Sequence, residues 1–301
     1  ELVEEYIKEL QNRPSKKNNK NERKENKAIN TIKKIFFEDK EKSEPIYKKY
    51  SIKPYRLSKI DFIFASISFL FAFFLYLFTL TPSLSAGDNG ELTTAAYFLG
   101  VGHAPGYPFY TLMSKLFTYI PFGNIAWRTN LFSGTCAAIS TIFFYLIMAK
   151  VLGQNRIERG FSPVIQIPAL LSSVAFAISD NMWAQATMAE VYSLNILQIA
   201  SMLLILVYWF EAVWKHANDE IAYYGSKYLM AFGFLYGVAL ANHHVTLPFA
   251  FAPLLFIGIV LFLIHKDRYI EHIETSFISI FVFLFLLFIG GFGYYRFIMN
   301  Y

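Results

Sequence analysis

Cysteine is almost absent from this chain of 301 residues, and the single one, Cys136, lies inside an apolar run. An intramolecular disulfide and a thiolate metal cluster are thereby excluded. The chain also lacks a G-x-G-x-x-G or P-loop pattern, a nucleophile elbow and a D-x-D pair. Those gaps speak against dinucleotide and nucleotide cradles and against a serine hydrolase. Near residue 1 there is no short apolar stretch with a small-residue cleavage site, so the start does not read as a secretory signal. Charge is scarce too, once the first sixty residues are passed. Of the 27 Lys and Arg residues, 17 fall in that opening stretch and ten cover the rest.

What remains is apolar: 55% of the residues are hydrophobic and 19% aromatic. They come in uninterrupted runs of roughly twenty residues, the length that matches a hydrocarbon core. The class is an all-α integral membrane protein with several spans. Residues 1–60, including "NRPSKKNNKNERKENK", read differently, as a basic, largely disordered cytoplasmic arm. Ten acidic residues are mixed into the same sixty, which favours a solvated or membrane-surface arm over nucleic-acid binding. Residues 61–301 then form the transmembrane domain.

The apolar patterning predicts seven spans, near 62–80, 129–151, 162–179, 192–214, 228–243, 245–264 and 274–296. Segment 107–120 is apolar but only about fourteen residues long, which suits an interfacial or re-entrant helix. Charge patterning agrees with that count. With the basic arm inside, the connections carrying Lys150, Arg156 and Arg159, then Lys215 and Lys227, then Lys266 and Arg268 all fall inside. Making 107–120 a span would invert every later loop. The abrupt end at "GYYRFIMNY", straight after an apolar run, is that expected of a fragment of a longer protein.

In this topology the outer loops collect the carboxylates and histidines, with polar and aromatic neighbours. The first holds Asp88, Glu91 and His103, the second Asp180, Trp183, Gln185 and Glu190, the third Asn242, His243 and His244. Such groups at a membrane boundary are costly and mark a site. The bland readings are an N-cap for Asp88, a capping box for Glu91 and a hydrogen-bonded loop histidine for His103. "DNGELTTAAYFLG" predicts a short helix from about 89 to 99, "HAPGYP" an irregular rigid turn, and "WAQATMAEVYSLN" an amphipathic helix running into the next span. Glu190 and Tyr192 lie where that helix meets the bilayer, and a Glu there needs a partner or ligand. The adjacent histidines of "ALANHHVTLP" make a poor zinc pair, because neighbours on a helix seldom share an ion.

A carboxylate cluster at this boundary suits glycosyl transfer from a lipid-anchored sugar, which needs a base for the acceptor hydroxyl. A transporter or flippase of polyprenyl-linked or amphiphilic substrates is the alternative, although its carboxylates belong near mid-membrane in broken helices.

Four patches in order, "DNGELTTAAYFLGVGHAPGYPFY", "WRTNLFSGTCAAIS", "WAQATMAEVYSLN" and "ANHHVTLPFAFAP", resemble a family of multispanning proteins shared by bacteria and animals. Its animal member is the O-mannosyltransferase of plexins and related receptors, similar to transferases of the C-type glycosyltransferase fold. The resemblance covers about residues 60–300. It implies an inverting membrane glycosyltransferase that moves a sugar, mannose by analogy with the animal relative. The donor would be a polyprenyl phosphate, and the acceptor Ser/Thr of an exported protein or a glycan. It also implies the roles of single residues. Asp88 would be the base, with Glu91 holding the acceptor or tuning Asp88. His103, Arg128, Asn130, Glu190, Tyr192, Asn242 and His243 would bind substrate, with Arg128 on the donor phosphate. Ala104 and Ala241 depart mildly from the family pattern.

No resident metal is expected, since a D-x-D pair is lacking, while a divalent ion stays open as a cofactor. The other partners are membrane lipids, not nucleic acid. The Lys/Asn-heavy, Phe-rich composition suggests an AT-rich bacterial genome, hence a cytoplasmic membrane with the site facing outward.

Overall fold

The computed structural model describes residues 52–156, 160–217 and 224–265, and among them all regular structure is α-helical. In chain order the helices are α1 (Lys59–Thr79), α2 (Asn89–Phe98), α3 (Pro108–Phe117), α4 (Ile125–Gly153) and α5 (Pro163–Ala177). Then come α6 (Asp180–Ala186), α7 (Val191–Lys215), α8 (Ser226–Asn242), α9 (Thr246–Phe249) and α10 (Phe251–His265).

Four stretches are long and apolar enough to cross a membrane: α1, α4, α7, and Thr246–Ile264, which joins α9 to α10. They coincide with four expected spans, and the chain is a multi-pass membrane protein. The span expected at 162–179 is the fifteen-residue α5, which bends by 62° into α6. Pro163 opens it, where a missing N–H is harmless, and Pro168 sits inside it. At 228–243 the structure has α8, 17 residues long, about 25 Å at the helical rise and a little short of the hydrocarbon core. The expected span at 274–296 lies outside the described residues.

Segment 107–120 does not cross. Its helix α3 has ten residues, roughly 15 Å of length. It packs against α2, and the pair leaves Phe98, Leu99, Val101, Leu116 and Tyr119 exposed, an apolar face suited to lying in the membrane surface.

Helix α4 is the centre of the bundle, touching α1, α2, α3, α5, α6 and α7. Small side chains let the neighbours approach. Ala72, Ala137, Ala138, Ala177 and Ala186 are wholly buried around Tyr76, whose hydroxyl donates to the Ala177 carbonyl. Among lipids such close packing and internal hydrogen bonds replace the hydrophobic drive that water would supply.

At the end of α4 remote from the Asp88 loop, residues 52–57 form a strap under the bundle, although composition alone groups them with the arm. Lys53 and Asn155 exchange two hydrogen bonds, Lys53 N to Asn155 Oδ1 and Asn155 N to the Lys53 carbonyl. The Tyr55 ring lies so close to Gly153 that a Cβ there would meet it at 2.3 Å, so only glycine fits. The Tyr55 hydroxyl and Gln166 Nε2 donate to the buried Asp61 carboxylate, which also closes a capping box with Ser58. Lys150 Nζ donates to the Tyr55 carbonyl and pairs with Glu211 at 2.8 Å, both side chains buried. Lys150 therefore lies inside α4 as half of an ion pair, not in the connection where charge patterning places it.

Candidate active site

At the opposite end, the loop after α1 delivers Asp88 to the N-cap position of α2. The cap is unused. Asp88 makes no capping hydrogen bond, and Glu91 turns to His103 instead of closing a box. Glu91 accepts from the His103 backbone N–H through Oε1, and its Oε2 lies 3.1 Å from His103 Nδ1. The other ring nitrogen, Nε2, is 3.8 Å from Asp88 Oδ2 and 2.7 Å from the Tyr107 hydroxyl. His103 thus stands between two carboxylates, all three side chains being exposed. Their nearest ligand atoms lie within 4.8 Å of one another. That spacing suits a histidine hydrogen-bonded between two carboxylates, and it also suits a single divalent cation.

A second layer backs this cluster. The Tyr107 ring is perpendicular to His103 at 5.0 Å and stacks on His243 at 5.4 Å, while Tyr192 covers His243 at 5.3 Å. The three rings come from the α3, α8 and α7 ends of their loops. His243 caps α8, and its Nδ1 accepts from Val245 N at 2.8 Å, so a neutral ring carries its proton on Nε2. Burial, then the charges of His244 and His103, hold the His243 pKa below the ordinary histidine value. Burial first, and then the Asp88 carboxylate, raises the Tyr107 phenol.

Glu190 caps α7 and is half-buried, with its carboxylate near Gly87. Burial is the main reason its pKa lies above the ordinary glutamate value, and the Asp88 charge adds to it. The Val191 backbone N–H and His103 pull the other way. A carboxyl group with a raised folded pKa stabilises the fold below its unfolded pKa, and the contribution disappears as pH climbs through the folded value. Glu190→Gln should therefore melt higher than the wild type at neutral pH, and the difference should close on acidification. A constant difference across pH, read by thermal melting in detergent, would show that the Glu190 charge is not under strain.

Asn130 is wholly buried and fully occupied. Its Nδ2 donates to the carbonyls of Thr81 and Ser83, and its Oδ1 accepts from Asn89 Nδ2 and Ala189 N. It thus ties together the segments that carry Asp88 and Glu190. Asn242 is equally buried, its Nδ2 bonded to the Val191 carbonyl and its Oδ1 unpartnered among the described residues. Arg128 is directed elsewhere, making four hydrogen bonds to the carbonyls of Thr118, Phe122 and Gly123. Of the residues expected at the site, the structure gathers Asp88, Glu91, His103, Glu190, Tyr192 and His243. Asn130 and Asn242 support them from beneath, and Arg128 clamps the adjoining loop.

Two features were not legible in the sequence. Tyr107 belongs to the turn "HAPGYP", and only the meeting of three separate segments makes it the centre of a ring stack. Ser133 exchanges hydrogen bonds with the Glu190 backbone across α4 and α7, which no local pattern signals. One expectation needs correction. "WAQATMAEVYSLN" is not one helix: α6 stops at Ala186 and α7 starts at Val191. The break leaves Glu190 in extended conformation, which is what brings its carboxylate to the cluster.

A helical multi-pass membrane protein with carboxylates, histidines and tyrosines gathered at one end of its bundle is the class defined here. Residues 88–271 match the family described as the Protein O-mannosyl-transferase TMEM260 N-terminal domain. The chain belongs to that family. It is 33% identical over 183 residues to the mouse protein O-mannosyl-transferase TMEM260, a match covering 60% of this chain and 23% of the mouse protein. Against the Dictyostelium discoideum protein of the same name it is 34% identical over 189 residues, covering 59% of this chain and 21% of that protein. The chain thus spans less than a quarter of these relatives. No solved structure matches it significantly.

Proposed function

We propose that the chain is the catalytic membrane part of a mannosyltransferase, using a polyprenyl-phosphate mannose as donor and a Ser/Thr hydroxyl of an exported protein as acceptor. The observation that carries this reading is the Asp88 carboxylate. It occupies a helix cap without being spent on it, stays open to solvent, and sits within a cluster at one end of a membrane bundle. The names of the relatives support the sugar and the acceptor class.

The reaction has few parts. Asp88 takes the proton of the acceptor hydroxyl as its oxygen bonds to the anomeric carbon. The bond from that carbon to the phosphate oxygen breaks, and its electron pair leaves with the polyprenyl phosphate. A single displacement inverts the anomeric configuration. The Asp88 proton then passes to water. Glu91 and His103 set the charge around Asp88, and His243 offers its Nε2 proton toward the departing phosphate. The site faces outward, with the residues before the strap as a cytoplasmic arm, the strap and the bundle as the transferase domain and a bacterial cytoplasmic membrane as the setting.

Incubating the purified full-length protein with radiolabelled polyprenyl-phosphate mannose and an exported-protein extract tests the reading. Label should enter protein and be released by base-catalysed elimination. If label stays on the lipid with mannose and with other lipid-linked hexoses, the transferase reading is rejected.

A further inference from the structure

Beside the ring stack, where α5, α6 and α7 converge, lies an open cavity of about 320 Å³. Tyr192 is its common wall with the cluster, since it lines the cavity and also covers His243. From His243 the contacts run through Tyr107 and His103 to Asp88. The remaining polar lining is Ser179, Asn181 and Gln185, and Phe176 and Ile196 lie one turn further into the helical bundle.

The lining contains no Asp, Glu, Lys, Arg or His. A phosphate or an acidic sugar would find no counter-charge there. Two side-chain amides, a hydroxyl and an aromatic ring are instead the groups that hold a neutral sugar: the amides bond its hydroxyls, and the ring packs against its apolar C–H face. Gln185 Oε1 is buried and has no hydrogen-bond partner among the described residues. A buried acceptor left unpaired is costly, and turning the Gln185 amide into the cavity to meet a ligand hydroxyl would relieve it. The gradient from polar to apolar lining also fits a ligand whose sugar is attached to a membrane-soluble tail.

We infer that this cavity is the donor-sugar subsite, built for an uncharged pyranose, with Gln185 and Asn181 as the hydroxyl-reading groups and Tyr192 as the platform. The inference rests on the transferase reading. It places the pyranose ring against Tyr192 with its anomeric carbon turned toward the charged cluster, where the acceptor oxygen attacks and the phosphate leaves.

Saturation-transfer NMR with methyl α-mannopyranoside and the full-length protein reads binding without needing catalysis. The wild type should give a signal that Gln185→Leu removes and Asp88→Asn keeps. Asn181→Ala, at an exposed position of α6, should weaken it and serves if Gln185→Leu does not fold. In the transfer assay both variants should raise the donor KM about tenfold, the loss expected of one hydrogen bond, and leave the acceptor KM unchanged. A signal that survives both substitutions, or no signal from the wild type, overturns the subsite. So does a rise confined to the acceptor KM. Signal loss in Gln185→Leu from a wild type that transfers no sugar keeps the subsite and removes the transferase reading instead.

Discussion

Asp88→Asn is expected to lower sugar transfer by roughly a hundredfold to ten-thousandfold, the range for removing a general base, while leaving the protein folded. The substitution keeps the size and hydrogen-bonding outline of the side chain but removes its ability to take a proton. Stability should hardly change, because the Asp88 carboxylate is exposed and makes no capping bond to α2. Transfer and melting temperature measured on the same preparation separate the two effects. Retained transfer would remove Asp88 from the role of base. Lost transfer with a lowered melting temperature would make it a structural residue. A secondary sign is available: with the Asp88 charge gone, the Glu190 pKa should drop back toward the ordinary glutamate value.

Asn130→Ala should have the largest effect on stability. Four hydrogen bonds of 2.8–3.1 Å converge on this amide from Thr81, Ser83, Asn89 and Ala189. Removing it strands those groups in the interior, and each unpaired buried group costs about 1–3 kcal/mol. The sum reaches the exceptional range above about 4 kcal/mol for a single substitution. Asn130→Asp is the sharper variant. It preserves the acceptor but turns an oxygen toward two carbonyls and buries a charge. Both variants should melt lower in detergent and transfer less sugar, because Asn89 adjoins Asp88 and Ala189 adjoins Glu190. A melting temperature equal to the wild type in either would show that the bonds around Asn130 are replaceable.

The local signals in the sequence were good guides to the helices. Apolar runs located α1, α4, α7 and the Thr246–Ile264 span, and the length of 107–120 identified α3 as a surface helix. The short helix at 89–99 followed from the Asp88 and glycine signals in "DNGELTTAAYFLG". What escaped were relations between distant segments. The cap at Asp88 is positioned but unused, and only the approach of His103 explains why Glu91 leaves its box. The family resemblance implies a phosphate ligand at Arg128, whereas the carbonyls that engage its guanidinium come from its own preceding loop. Lys150 is a loop cation by charge patterning alone, and only its partner on α7 explains its burial within α4.

That pair, with the strap over it, also bears on whether anything passes through the bundle. At the end away from Asp88, Lys150, Glu211, Asp61, Gln166 and Tyr55 interlock α1, α4, α5 and α7 in a buried polar plug. A solute moving along the axis would have to part Lys150 from Glu211, and stripping one partner from a buried pair costs about 3–5 kcal/mol. Among the described residues, then, this end of the bundle is latched by side chains, while the cavity between α5, α6 and α7 lies beside the charged cluster at the other end.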